Sequence, residues 1–332
     1  MNPTMSEFLK NILDGINSLI GNYGWSVVVF TLLIKLVLMP FDYKSRVSMR
    51  KTTKLQPKLN ELQKRYSNDK EKLNKKMAEL YQKEKISPLS SCLPMLLTMP
   101  VLFAMFAAMR LVAGENMIAQ TFAILQGQEP VMESWLWVKN IWMPDSPFYA
   151  ALPDLNNLQM IDASIWQSAF SALEGGVAAL PEALQHLTVD SFAKGNLQAT
   201  VQEIVAFMET LPNYVEATKN LPGWPTLNCW LFQVDVKNVL NGFFILPILS
   251  AATQFLMTIG QPQPQQQEGQ PNSGAFMKWF FPIFSLWICA SYNAVFAIYW
   301  VASNIFAGAQ NLLINHILDK KEKEETVEGT VK

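Results

Sequence analysis

Charged residues, cysteine and histidine are all scarce in this chain of 332 residues. Only 16% of the residues are charged, against roughly 25% in a typical soluble domain. Half of the residues are hydrophobic, and they include 16 Met, 20 Phe and 10 Trp. This composition excludes a disordered protein and a disulfide scaffold, and it argues against an ordinary soluble enzyme.

The sequence also lacks the patterns that metal sites and common catalytic sites require. The cysteines, Cys92, Cys229 and Cys289, have no metal-ligand spacing, and His186 and His316 are 130 positions apart. No Gly-rich phosphate loop followed by Lys, no H-E-x-x-H and no G-x-S-x-G occurs. We therefore expect no enzyme, no catalytic residue, no metal and no cofactor.

Long apolar runs fill much of the sequence, and a membrane-spanning helix needs about 20 apolar residues. The alternative, a soluble protein with buried helices, predicts frequent charges on one helix face. Lys278, however, is the only charge between Glu268 and Asp319. We therefore predict an all-α membrane protein with five transmembrane helices, at residues 23–41, 89–113, 238–260, 276–291 and 292–317.

The charges of the two longest connections predict the orientation of these helices. Residues 42–88 carry 14 Lys/Arg and 6 Asp/Glu, a net charge of +8. Residues 113–237 carry 4 Lys/Arg and 13 Asp/Glu, a net charge of -9. Because short loops rich in Lys/Arg stay in the cytoplasm, we place residues 42–88 on the cytoplasmic side of the membrane, the N-terminus outside and the C-terminus inside.

The segments outside the predicted spans have recognisable patterns of their own. Residues 1–22 contain charges among apolar residues at helical spacing, which predicts an amphipathic helix on the outer surface rather than a cleavable signal peptide. The basic charge of the hairpin at 42–88 is explained either by orientation and solubility, or by binding of anionic lipid head groups, ribosomal RNA or a partner. The predicted segments are a cytoplasmic helical hairpin at 42–88, an extracytoplasmic loop with a helical insertion at 114–237, a cytoplasmic low-complexity loop at 261–275 and a charged cytoplasmic tail at 318–332.

Lys35 is a charge inside the first predicted span, where a lysine costs about 2.5–3.5 kcal/mol on insertion scales. One interpretation is a lysine that extends its ammonium to the cytoplasmic surface, and the other is a charge that faces a water-filled cavity. No Asp or Glu lies in any predicted span to neutralise it, so the second interpretation requires polar side chains around it. The candidates for these groove residues are Thr31, Thr98, Gln254, Ser303, Asn304 and Gln310.

A series of short motifs, in this order along the chain, resembles the YidC/Oxa/Alb family of membrane protein insertases. Each motif is weakly specific by itself, but together they cover roughly residues 16–148 and 238–317. The motifs are Leu33-Ile34-Lys35 with Pro40, Leu55-Gln56-Pro57-Lys58-Leu59, Ser87-Pro88-Leu89, Cys92-Leu93-Pro94, Met99-Pro100, Trp135-Leu136-Trp137 with Pro144-Asp145, Ile245-Leu246-Pro247 and Tyr299-Trp300-Val301-Ala302-Ser303-Asn304.

This resemblance implies five core spans around a hydrophilic groove that is open to cytoplasm and lipid and closed to the outside. The family's positive residue in that groove is usually Arg, and the matching position here is Lys35. The short N-terminus resembles bacterial forms without a large periplasmic domain. The chain departs from the family pattern at Ser87-Pro88-Leu89, where Asn-Pro-Leu is usual, and in an insertion near 150–236.

The resemblance also implies a function as an insertase and chaperone for client membrane proteins. The alternatives are a small-molecule transporter or channel, and a structural assembly factor. The implied partners are nascent membrane proteins and the lipid bilayer, with the ribosome and the Sec translocon as further candidates, and no specific small molecule or DNA. An apolar slide for the client helix is implied at Leu96, Met99, Leu102, Phe103, Phe106, Phe280, Phe284 and Trp287, which are otherwise lipid-facing or packing residues.

Overall fold

The computed structural model describes residues 4–84, 93–229, 232–259 and 273–330, and these residues are mostly helical. The long helices are α1 (Met5–Ile20), α2 (Tyr23–Arg65), α3 (Lys70–Lys83), α4 (Leu93–Leu125), α9 (Ile245–Ile259), α10 (Ser273–Ser291) and α11 (Ala294–Thr330). The shorter elements are α5 (Leu155–Leu158), α6 (Ala163–Ser171), α7 (Leu197–Met208), α8 (Pro212–Thr218) and three 3-10 turns, at Gly176–Ala179, Glu182–Leu184 and Val189–Phe192.

The chain divides into two compact units. Unit 1 comprises Met1–Phe30, Ala104–Ser250 and Ser285–Val301, and unit 2 comprises Thr31–Phe103, Ala251–Phe284 and Ala302–Lys332. We describe the contacts of each unit separately.

Among the described residues, a helix overlaps each of the five predicted spans, and two of these helices are long and apolar enough to cross a membrane. These are α2 and the Met99–Leu125 part of α4, whereas α9 is apolar but has only 15 residues. The third span therefore differs from its predicted range, because residues 238–244 are not helical. Phe244 has a left-handed φ of 65°, which interrupts helical geometry immediately before α9.

Helix boundaries elsewhere extend beyond the predicted spans. Helix α2 continues from the first span into the basic hairpin, through both Pro40 and Pro57, although Pro57 predicted a kink or a restart. Helix α11 continues to Thr330 and so includes most of the charged tail predicted at 318–332. Hydropathy changes where a helix leaves an apolar environment, but backbone hydrogen bonding does not have to stop there.

The basic hairpin in unit 2 consists of the end of α2 and helix α3. Asp69 caps α3 by accepting a hydrogen bond from the Lys72 N–H at 3.0 Å. Leu55 and Leu59 are buried, and Lys58 forms an ion pair with Glu84 at 2.9 Å. The hairpin therefore has a narrow apolar seam at Leu55 and Leu59.

Helix α1 in unit 1 begins with a capping box between Thr4 and Glu7. Its inward face places Lys10 between Asp14, at 2.9 Å, and Glu115 of α4, at 3.1 Å. Its outward face is apolar, because 56% of Phe8 and 88% of Leu19 are exposed. An apolar outward face is typical of a helix that lies in a membrane interface.

The helical insertion in unit 1 has an aromatic core of its own. Trp166 stacks on Phe192 with ring centroids 5.3 Å apart, and Phe122 of α4 meets Trp166 edge-on at 6.1 Å. Helix α4 is longer than the predicted span because its last turns form part of this core. The sequence did not predict the short antiparallel pair of strands β1 (Leu227–Cys229) and β2 (Phe232–Val234), in which Leu227 pairs with Val234.

A buried polar network in unit 1 fixes the chain on both sides of the insertion. The side chains of Asn140, Asp145 and Asn241 are fully buried. The Asn241 amide donates to the carbonyl oxygens of Asn140 at 2.9 Å and Pro144 at 2.8 Å. The Asn140 N–H in turn donates to the Asn241 side-chain oxygen at 2.9 Å. These bonds tie the loop around residue 140 to the segment before α9.

Asp145 caps the beginning of α9 within this network. Its carboxylate accepts hydrogen bonds from the N–H groups of Phe243 at 2.9 Å and Leu246 at 2.6 Å, and from Trp137 Nε1 at 3.1 Å. Gly242 is necessary here, because a Cβ at this position would overlap the Asp145 carboxylate. The non-helical start of the third predicted span is therefore held in place by the Asp145 cap and is not a frayed helix end.

Candidate functional site

The predicted groove residues all belong to unit 2. Lys35 is half-buried on α2, and Thr31, one turn earlier on the same helix, is buried. Gln254 on α9 and Gln310 on α11 are also half-buried. Ser303 and Asn304 share this intermediate burial, and the side chain of Thr98 in α4 lies outside the described residues.

Polar side chains connect α9 to α11 within this unit. The Asn304 amide donates a hydrogen bond to Thr253 Oγ1 at 3.2 Å. Thr253 directly precedes the predicted groove residue Gln254 in the sequence. Two turns further along α11, the Asn311 amide contacts Met257 Sδ at 3.9 Å. A Cβ at Gly308 would lie 3.5 Å from the same sulfur, which is ordinary van der Waals contact. The contacts give α11 a polar face toward α9.

Asp42 is the residue of this site that the sequence analysis did not identify. Gln310 Nε2 of α11 donates to Asp42 Oδ2 at 3.1 Å, and Asp42 interacts electrostatically with Lys35 and Arg46. The signal was the spacing, because residues seven positions apart lie on one helix face. Asp42 was overlooked because it follows the predicted end of the first span by one residue.

The polar contacts between α2 and α11 continue beyond Asp42. Arg50 donates to the Asn315 carbonyl oxygen at 3.1 Å and pairs with Asp319 at 2.6 Å. Lys321 donates to the Tyr43 hydroxyl at 3.2 Å. Together with the Gln310–Asp42 bond, these contacts give α2 a charged face along several turns, which begins at Lys35.

Within the predicted spans, the exposed side chains of these helices are largely apolar. The exposed fraction is 72% for Val37 on α2, 68% for Leu256 on α9 and 74% for Leu312 on α11. Polar residues are thus half-buried while large apolar residues face outward, which is the reverse of a soluble helical protein. This distribution fits a lipid environment in which ionisable groups face the protein interior or water.

The predicted apolar slide residues are divided between the two units. In unit 2, Phe103 is 63% exposed and Phe280 stacks on Phe284 at 5.8 Å. In unit 1, Phe106 is half-buried against Phe296, with ring centroids 4.7 Å apart. Met99 and Leu102 of unit 2 are half-buried, Trp287 of unit 1 is 62% exposed, and the side chain of Leu96 is outside the described residues. The surroundings of Phe106 are those of a packing residue.

The sequence model of one protein family, described as 60Kd inner membrane protein, matches residues 15–174 and 197–322. The chain belongs to the 60Kd inner membrane protein family. The resemblance to YidC/Oxa/Alb proteins is thereby confirmed, and with its apolar helices the chain is an integral membrane protein of the bacterial membrane. Only residues 175–196 lie between the two matched ranges, so the part that exceeds the family pattern is narrower than the predicted 150–236.

Several relatives of this chain carry the name Membrane protein insertase YidC. The protein of Fusobacterium nucleatum is 38% identical over 152 residues, which is 46% of this chain and 65% of that protein. The protein of Thioalkalivibrio sulfidiphilus is 36% identical over 151 residues, or 45% of this chain and 24% of that protein. The protein of Campylobacter jejuni is 24% identical over 322 residues, or 97% of this chain and 39% of that protein. The chain therefore spans less than two thirds of the length of these relatives.

Proposed function

We propose that the protein is a membrane protein insertase and chaperone that integrates client membrane proteins into the bilayer. The observation that carries this proposal is Lys35, a half-buried cation that interacts electrostatically with Asp42 and lies in a predicted span whose exposed side chains are apolar. The names of the family relatives support the same activity. They give no support to a small-molecule transporter or channel.

The physical problem for an insertase is the polar tail of its client. Hydrocarbon offers no hydrogen-bond partners to a peptide backbone and strongly disfavours charge. A hydrated groove with a fixed cation shortens the apolar part of the path and attracts an acidic tail. In the proposed arrangement, five spans surround such a groove, which is open to cytoplasm and lipid and closed to the outside.

The apolar helices then guide the transmembrane segment of the client into lipid. Exposed rings such as Phe103 and Phe280 offer a surface that does not require a particular client sequence. Met side chains adapt to different partners because they are flexible. The proposed orientation has the basic hairpin and the C-terminus in the cytoplasm, where the ribosome and the Sec translocon are candidate partners.

A reconstituted insertion assay tests this function directly. Purified protein in liposomes receives a short single-span client, and protease protection of its translocated tail reports integration. We expect integration above that of empty liposomes, and no leakage of a small dye that a channel would release. Integration equal to that of empty liposomes, with correctly folded protein, would reject the proposal.

We expect the helical insertion to be dispensable for integration, because clients arrive from the cytoplasmic side in this proposal. The chain on either side of the insertion is already held together by the Ala151 N–H bond to the Val239 carbonyl at 3.2 Å. A short linker in place of 155–230, with Phe122→Ser to remove the uncovered ring, should keep more than about half of the integration. Protease protection in liposomes measures the outcome, with monodispersity in detergent as the control for folding. Loss of integration by a well-folded variant would show that the insertion takes part in the mechanism.

A further inference from the structure

Asp42 has three kinds of neighbour in unit 2. It accepts a hydrogen bond from Gln310 at 3.1 Å, and it interacts electrostatically with Lys35 on one side and Arg46 on the other. Lys35 lies seven residues earlier on α2, which corresponds to two turns and about 10 Å of helix rise on the same face. The lysine is therefore not an isolated intramembrane cation but has a carboxylate of its own chain nearby.

The Gln310 bond gives this carboxylate a fixed place. A carboxylate has two oxygens and about four acceptor positions, and the bond from Gln310 uses only Oδ2. Arg46 also has a like-charged neighbour, Arg50, which pairs with Asp319 at 2.6 Å. Asp42 is thus held by α11 beside the cation that the proposed function assigns to client tails.

We propose that Asp42 is the resident counter-ion of Lys35 and that it determines which client tails the site accepts. This inference rests on the proposed function. An incoming acidic tail must compete with the Asp42 carboxylate for the same ammonium group. Neutral tails do not compete for the ammonium group, so the carboxylate raises the acidity that a tail needs in order to bind.

The cost of burying the Lys35 charge favours a role of Asp42 as a competitor for Lys35 over a purely structural role. A cation that is partly removed from water is costly unless a counter-charge or hydrogen bonds compensate it. Asp42 provides this compensation while the site is empty, and a client carboxylate provides it when the site is occupied. A site with an unpaired lysine would bind an acidic tail more tightly.

The test is Asp42→Asn, because the Asn side chain keeps an oxygen that can accept the Gln310 hydrogen bond and removes only the charge. Two single-span clients that differ only in an acidic or a neutral tail are compared in liposomes. We expect the ratio of acidic-tail to neutral-tail integration to rise about fivefold, the effect of one partly exposed charge pair. The matched control is Asp319→Asn, which makes the same charge change on α11, at a carboxylate that pairs with Arg50, and should leave the ratio unchanged.

A double variant determines whether Asp42 acts through Lys35. In a Lys35→Ala background, Asp42→Asn should lose most of its effect on the ratio, because the effects of two interacting charges are not additive. An unchanged ratio in Asp42→Asn, a fall in the ratio, or an equal rise in Asp319→Asn would each overturn the inference. If wild-type protein integrates both clients, such results reject only the role of Asp42, whereas failure of wild type with both clients rejects the proposed function itself.

Discussion

Replacing Lys35 by Glu is expected to nearly abolish integration of clients with acidic tails. At 5 Å and an effective dielectric constant near 20, an opposite-charge pair is worth about 3 kcal/mol before desolvation, and desolvation cancels part of this. Lys35→Glu replaces the attraction by repulsion and adds a second acid near Asp42, so we expect a loss of about a hundredfold. Protease protection of an acidic-tailed client in liposomes measures it.

The conservative and neutral variants make this prediction specific. Lys35→Ala should lower acidic-tail integration by about tenfold, because it removes attraction without adding repulsion. Lys35→Arg should integrate acidic tails like wild type, because the charge is kept and the proposed role does not depend on the geometry of the donor. A neutral-tailed client should respond much less to all three variants. Equal integration of acidic and neutral tails by a well-expressed Lys35→Ala variant would identify Lys35 as an anchor at the membrane surface.

The sequence singled out candidate groove residues but not their contacts. Lys35 was identified because a charge in an apolar run is costly, and this reasoning needs no structure. Asn304 was among the candidates, but its hydrogen-bond partner Thr253 was not. Helical periodicity places residues on a face, but the partner depends on the rotation and offset of the neighbouring helix, which one sequence does not specify.

The limits of the spans show why Asp42 was missed. The first span was predicted to end at residue 41 because the apolar run ends there, and charges beyond it were assigned to the loop. The structure continues α2 to Arg65 without a break, so Asp42 remains on the helix face of Lys35. A charge next to a span should be considered part of the site whenever it lies seven residues from an intramembrane charge.

The role of Asp145 in the polar network of unit 1 could not be predicted from the sequence. Asp145 belonged to a motif that resembled the family, but nothing in the sequence indicated that it is buried and caps a helix one hundred residues later. Long-range contacts of this kind depend on loops whose path the local pattern does not determine. The positive φ of Phe244 and the need for Gly242 are consequences of the same contact.

Removal of the Asp145 carboxylate is expected to destabilise the protein strongly. Asp145→Ala leaves the N–H groups of Phe243 and Leu246 and the indole N–H of Trp137 without their acceptor. The Leu246 N–H bond is buried and the other two are partly buried. A buried donor left unpaired costs about 1–3 kcal/mol and a partly buried one costs less, so the expected loss is about 2–4 kcal/mol. The apparent Tm in detergent, measured by loss of monodisperse protein on heating, should fall by about 10 °C.

Three further variants separate the contact from the charge. Asp145→Asn keeps an acceptor oxygen and should lose less stability than Asp145→Ala, whereas Gly242→Ala should lose as much, because its Cβ overlaps the carboxylate. The matched control is Asp162→Ala, which removes an exposed carboxylate that precedes α6 and makes no capping hydrogen bond there. Its apparent Tm should stay close to that of wild type. If Asp145→Ala and Asp162→Ala melted at the same temperature, the cap of α9 would contribute nothing to stability, and the start of that helix would have to be fixed by the Asn140–Asn241 contacts alone.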